Sequence, residues 1–191
     1  MTLFRCKSFV AFAAAAAALV VQLPADAQLR SSVPTPSEPP AGSVSSGKVS
    51  RADAEALRDM QVANMAEVMT GAVALDKAQD PQVKAFAQTM IDDHTAAMKD
   101  VEEVAQQKGV ALPTEPDGSH QAAAIQLSKL SGADFDKKYM SMTGVGDHRT
   151  IESKLRKTEK DAKDTDVKAL AGKMLPVVHG HLRSAERIGG Q

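Results

Sequence analysis

From Ser50 to Ile188 apolar residues recur every three or four positions, in stretches too long for strands. The segment Val83, Phe86/Ala87, Met90, Ala97/Met98, Val101, Val104 shows the pattern, and no comparable run alternates with period two. The punctuation is helical as well. Ser50-Arg51-Ala52-Asp53 resembles a capping box, Asp80-Pro81 sets an N-cap before a proline at the first helical position, and Gly109 offers a left-handed stop. Ser131-Gly132 breaks the pattern again, Asp164 or Thr165 restarts it, and Gly189-Gly190 ends it. These signals predict helices from Ser50 to about Ala78, from Pro81 to Lys108, from Ser119 to Leu130, from Ala133 to Ala162, and from about Thr165 to Ile188.

Four long helices and one short one, with no strand, predict an all-α domain over residues 51–188. Short connections make the first two long helices an antiparallel pair, and likewise the last two. The short helix and its loops then cross over between the hairpins, which is the ferritin-like form of a four-helix bundle. Two features disturb the helices. Gly144 and Gly146 weaken the middle of the fourth helix by ~1 kcal/mol each relative to alanine, and Pro176 removes a backbone hydrogen bond inside the last helix and is expected to kink it.

The chain begins with the three parts of a secretory signal. Arg5 and Lys7 form a positive start, Phe9 to Val21 is an unbroken apolar run, and Ala25-Asp26-Ala27 is a small-x-small cleavage site. The run is shorter than the ~20 residues a membrane-spanning helix needs, so the expectation is a signal peptide over residues 1–27, cleaved after Ala27; the alternative is a retained anchor. Cys6 lies away from the cleavage site, which excludes a lipid-anchored precursor. Residues 28–50, with Pro34, Pro36, Pro39 and Pro40 among serines and glycines, read as a flexible linker. The expected location is periplasmic or outer-membrane-associated, with no transmembrane span in the mature chain and envelope-surface association as a candidate partnership.

Composition removes several function classes. The formal net charge is −1, which gives no electrostatic footprint for nucleic acid. The aromatics past the signal are Phe86, Phe135 and Tyr139, too few for a base-stacking platform. Removal of Cys6 with the signal excludes disulfides, thiol catalysis and thiolate metal sites.

The histidines are the most informative residues. His94 fills the gap in the second helix's apolar stripe four residues after Met90. His148 continues the stripe Phe135, Tyr139, Met142, Val145, and His181 falls within Val167, Leu170, Met174, Val177/Val178, Ala185. At about 100° per residue His179 points about 160° away from His181 and faces solvent. His120 is not placed by this argument. Three helices thus each direct one imidazole inward, and the first helix adds Asn64 and Glu67 near its midpoint. Imidazoles converging in a bundle hold transition metals, so the candidate ligands are His94, His148 and His181, with Glu67, Met90 and Met98 as further candidates. Thioether with imidazole suits copper; the ions considered are Cu and Zn. The competing reading is structural: methionine fills cores, and inward histidines hydrogen-bond one another, Tyr139, or the carbonyl freed by Pro176.

A ferritin-type di-iron site needs Glu-x-x-His on two helices. The residues three before His94, His148 and His181 are Ile91, Val145 and Val178, which argues against that chemistry. Gly-x-Ser-x-Gly, His-Glu-x-x-His and phosphate-binding glycine loops are absent from the sequence. Asp92-Asp93 and Asp147 are expected to solvate a helix flank.

A series of short segments carries a family resemblance: Met65-Ala66-Glu67-Val68, Val83-Lys84-Ala85-Phe86-Ala87-Gln88, Met90-Ile91-Asp92-Asp93-His94, His120-Gln121, Leu130 to Asp136 with Tyr139-Met140, Asp147-His148, Leu175-Pro176 and His181-Leu182. In that order they resemble the bacterial family of domain of unknown function 4142, whose members are often labelled predicted outer-membrane proteins. The resemblance implies a ferritin-like helical fold, an envelope location and no established activity. It also implies that His94, His148 and His181 occupy the family's usual histidine positions. Gly144 and Gly146 depart from the pattern and put the straightness of the fourth helix in doubt.

Two functions compete. One is a non-catalytic, metal-binding bundle of the envelope, concerned with metal handling or stress tolerance. The other is a structural or interaction module with polar core histidines. An enzyme is a third reading, without a visible acid–base or nucleophile constellation.

Overall fold

The computed structural model of the protein describes residues 49–190. The expected signal peptide and nearly all of the expected linker lie outside the described residues. Within them the chain is all-α, with no strand. Helix α1 spans Arg51–Lys77, α2 Pro81–Lys108, α3 Gly118–Ser128, α4 Gly132–Tyr139, α5 His148–Asp161 and α6 Thr165–Gly189, and a π-helical segment, Met140–Asp147, joins α4 to α5.

The predicted caps form. The Ser50 side chain accepts the Asp53 N–H, Asp80 accepts from Gln82 ahead of Pro81, and Asp164 accepts from Asp166 and Val167. Gly109 closes α2 at φ 64°, a conformation that disfavours a side chain. Asp117 caps α3 through the N–H groups of Ser119 and His120. Helix α6 continues through Pro176 as one element.

Two aspartates tie the hairpins together. The buried Asp53 carboxylate accepts the backbone N–H groups of Lys163 (3.2 Å) and Asp164 (3.1 Å), so the start of α1 meets the α5–α6 turn. Asp136 accepts from Gln79 (3.1 Å) and Asp80 (2.8 Å), so α4 begins beside the α1–α2 turn. Lys108, at the end of α2, pairs with Asp164 at 2.8 Å and Asp166 at 2.6 Å. Helices α1 and α6 therefore run one way and α2 and the α4–α5 rod the other, with α3 packed on α1 as the crossover. This is the expected two-hairpin bundle.

The fourth long helix is the correction. A single α-helix was expected over 133–162; instead the chain widens into π geometry at Met140–Asp147. The physical reason is phase. Nine residues separate Tyr139 from His148, and at 3.6 residues per turn they rotate about 900°, onto opposite faces. Both side chains are nonetheless fully buried. Hydrogen bonds reaching back five residues instead of four lower the rotation per residue, which returns His148 to the inner face. The two glycines supply the weak spot, and Gly144 also lets α6 approach: a Cβ there would lie 2.9 Å from the Ala185 Cβ.

The core has two apolar halves. One gathers Ala74, Phe86, Met90, Phe135, Tyr139 and Ala185; the other gathers Leu57, Met60, Val101, Leu155, Val167 and Val178. On every long helix the residues between these halves are the polar ones: Asn64 and Glu67 on α1, His94 on α2, His148 at the start of α5, His181 on α6, all buried.

Candidate metal centre

His94, His148 and His181 meet at that central level. Their ring centroids are 5.7 Å (His94–His148), 5.4 Å (His94–His181) and 5.4 Å (His148–His181) apart. One ligand nitrogen from each lies within 4.8 Å of the other two. They are the one group of three or more histidine, cysteine or carboxylate side chains among the described residues that comes this close.

Each ring is held from behind by an acceptor. His94 Nδ1–H donates to Asn64 Oδ1 at 2.7 Å. His148 Nδ1–H donates to the Thr143 carbonyl at 3.0 Å, an oxygen presented by the π segment. His181 Nε2–H donates to Asp93 Oδ2 at 2.8 Å. An amide oxygen, a carbonyl and a carboxylate only accept, so each bond fixes the tautomer and leaves a lone pair on the opposite nitrogen. Those nitrogens, His94 Nε2, His148 Nε2 and His181 Nδ1, are buried and have no hydrogen-bond partner. Burial is the main reason that His94 is held down to about 3 and His148 to about 4. Neighbouring imidazoles add to the effect: a positive charge on His148 or His181 opposes one on His94.

Glu67 stands behind the histidines. Its Oε1 is 3.7 Å from His148 Nδ1, whose proton goes to the nearer Thr143 carbonyl. Burial, then the charge of Asp147, holds the Glu67 carboxyl well above the usual range. Burial disfavours the charged form of both Glu67 and His148, which makes them a poor ion pair at this separation. Tyr139, buried and near Glu67, is raised for the same reasons. Met90 is fully buried in the apolar half that contains Phe86 and Tyr139, and Met98 is half-buried.

The remaining histidines are peripheral. His179 is exposed and lies 3.2 Å from Glu152, facing outward as its spacing predicts. His120 bonds Asp117 at 2.8 Å and lines a small cavity of about 170 Å³ with Glu67 and Asp147. Sequence reasoning assigned Asp93 to a solvated flank; it is partly exposed, but it also holds His181. Of the three acceptors behind the rings, only Asn64 lay on a face already singled out.

A sequence family described as domain of unknown function (DUF4142) matches residues 38–188. The chain belongs to the DUF4142 family. A crystal structure of a DUF305 fragment from Deinococcus radiodurans has a similar fold to this DUF4142 chain, with a TM-score of 0.67 at 16% identity, covering 75% of this chain and 99% of that one. No curated protein matches. The likeness to the DUF305 fragment extends to the fold alone, so the chemistry of this DUF4142 site has to be argued from its own side chains.

Proposed function

We propose that this protein binds one divalent transition-metal ion, Zn(II) or Cu(II), through His94, His148 and His181, and that it does so as a non-catalytic bundle exported to the bacterial envelope. The observation that carries the reading is a cluster of three buried histidines, one ligand nitrogen from each within 4.8 Å of the others, in which every ring donates through one nitrogen and leaves the other unpartnered. Metal-bound histidines are held in this way by carboxylates and carbonyls, which fix the tautomer and raise the ligand's basicity. Histidines kept only for packing have no reason to leave three buried acceptors unpartnered in one cluster, because a buried unpaired polar group costs about 1–3 kcal/mol. An all-imidazole set suits Zn and Cu. Nitrogen ligands of a zinc ion stand ~2.0–2.1 Å from it, so nitrogens now within 4.8 Å of one another would draw closer on binding. In this reading Glu67, Met90 and Met98 are not needed as ligands.

Export is supported by residues 1–27, with their positive start, apolar run and Ala25-Asp26-Ala27. No helix among the described residues is long and apolar enough to cross a membrane.

The test is metal content of the mature protein, purified from the periplasm without a metal-binding tag. About one equivalent is expected, and it should be lost when the three histidines are replaced together by alanine. Uptake unchanged in that triple variant, or no uptake by the native protein with a higher melting temperature than the variant, would leave the histidines as structural polar groups.

A further inference from the structure

Resting on that reading, we propose that the bound ion keeps one coordination position open, and that a cleft between α2 and α6 brings a small anion to it. Three imidazoles fill three of the four positions of a tetrahedral ion, and closed structural sites differ from reactive ones in having a fourth protein ligand. Here the nearest acids are on the wrong side. Asp93 is bonded to Nε2 of His181, opposite the lone pair on Nδ1, and Glu67 lies by Nδ1 of His148, opposite the lone pair on Nε2.

Charge selects the kind of ligand. Three neutral imidazoles leave a divalent ion with its full charge in the bundle interior, where an uncompensated charge is costly. An anion offsets it. Neither carboxylate near the rings reaches the open position: Asp93 stands behind His181 on the side of Nε2, and Glu67 lies behind His148 on the side of Nδ1.

The cleft supplies the path. A cavity of about 470 Å³ is lined by His94, His181, Ala96 and Val177, and its wall carries two acids, Asp93 and Asp100, against two lysines, Lys99 and Lys173; the size is typical of small-molecule sites. Its mouth is open to water. Val177 is 45% exposed, a large apolar side chain left at the rim of the cavity. Lys99 lies on the same rim, exposed and without a carboxylate partner among the described residues. The other rim lysine, Lys173, is paired with Asp100 at 2.8 Å.

Azide is the probe. The Cu(II)-loaded protein is titrated with sodium azide and followed by absorption and electron paramagnetic resonance, beside an Ala96→Trp/Val177→Trp variant that places bulk on both walls of the mouth. The expected result is a new azide-to-copper charge-transfer band that saturates at one azide per copper, with a several-fold slower onset in the tryptophan variant at unchanged copper content and melting temperature. Copper bound with no spectral response to azide shows a filled coordination sphere and overturns the proposal while leaving metal binding intact. An equally fast response in the variant overturns the assignment of the cleft as the path. Failure to take up copper or zinc at all overturns this proposal together with the metal reading beneath it.

Discussion

His94 and Asn64, thirty residues apart in the chain, share a 2.7 Å hydrogen bond between buried partners. The bond decides which nitrogen of His94 carries the proton, and so which one faces the other two imidazoles. Replacing Asn64 with alanine strands the Nδ1–H and frees the ring to turn. The expected loss is about 10–100-fold in metal affinity, read by competition with a chelator, together with about 1–3 kcal/mol of stability in the metal-free protein. An unchanged affinity would show that ring orientation is set elsewhere.

Acid should unfold the metal-free protein by charging His94 and His148. In the unfolded chain they titrate near 6.5, but in the fold burial lowers His94 to about 3 and His148 to about 4. Between these values the unfolded state holds more protons, so stability rises with pH. It is complete above about 6.5 and falls as pH drops toward 4 and below. Glu67 works in the opposite sense: its pKa is raised by burial and by Asp147, so its contribution is complete below the ordinary value of 4.5 and is lost as pH rises through the folded value. Urea midpoints of metal-free protein should therefore fall between pH 7 and pH 4, less steeply in His94→Gln. Glu67→Gln should raise the midpoint at neutral and alkaline pH and change it little in acid. A flat profile through the acid range would contradict burial of neutral rings.

Asp53 joins the two hairpins through backbone N–H groups of Lys163 and Asp164. Hydrogen bonds to an ionised acceptor are worth more than neutral ones, so Asp53→Ala is expected to cost about 1.5–3 kcal/mol. Ser50→Ala, which removes an ordinary cap, should cost about 1 kcal/mol. Urea denaturation of both variants checks the order; equal losses would mean that Asp53 contributes only locally.

Gly144 and Gly180 should respond oppositely to alanine. At Gly144 the new Cβ meets the Ala185 Cβ at 2.9 Å and the Met140 Cε at 3.1 Å, and overpacking of this kind costs about 1–3 kcal/mol. At Gly180 a Cβ meets nothing within 4 Å, and a more helix-prone residue should add about 0.4–1 kcal/mol. Melting temperatures of the two variants should move in opposite directions.

Much of the bundle was legible because its signals are local. Ser50, Asp80, Pro81, Gly109 and Asp164 act on backbone groups within a turn of themselves, so spacing alone located the helix ends. His94 and His181 were legible as members of apolar stripes, and His179 as an outsider, because helical phase is a property of one segment; His148 continued its stripe only through spacings that α geometry does not keep on one face. The acceptors behind the rings were harder to see. Asp93 sits beside Asp92 on a polar flank, and only the approach of α6 gives it His181. The Thr143 carbonyl carries no side-chain signature at all. The stripe from Tyr139 to His148 advances in steps of three, which drifts by about 60° per step on an α-helix; that drift, together with two glycines, was the trace of the π segment.

The π segment makes chain length itself a determinant of the site. From Tyr139 to His148 the helix must count nine residues while completing close to a whole number of turns, so what it conserves is a numerical register rather than a contact. Loss of a single residue between them, with the segment relaxed to α geometry, would leave eight steps that turn about 800°, within about 80° of two whole turns, so α5 would keep roughly its present phase. At the present length, by contrast, winding the same segment as plain α-helix would turn His148 about 180° away from the face of Tyr139 and disassemble the histidine cluster while every histidine remained in the sequence.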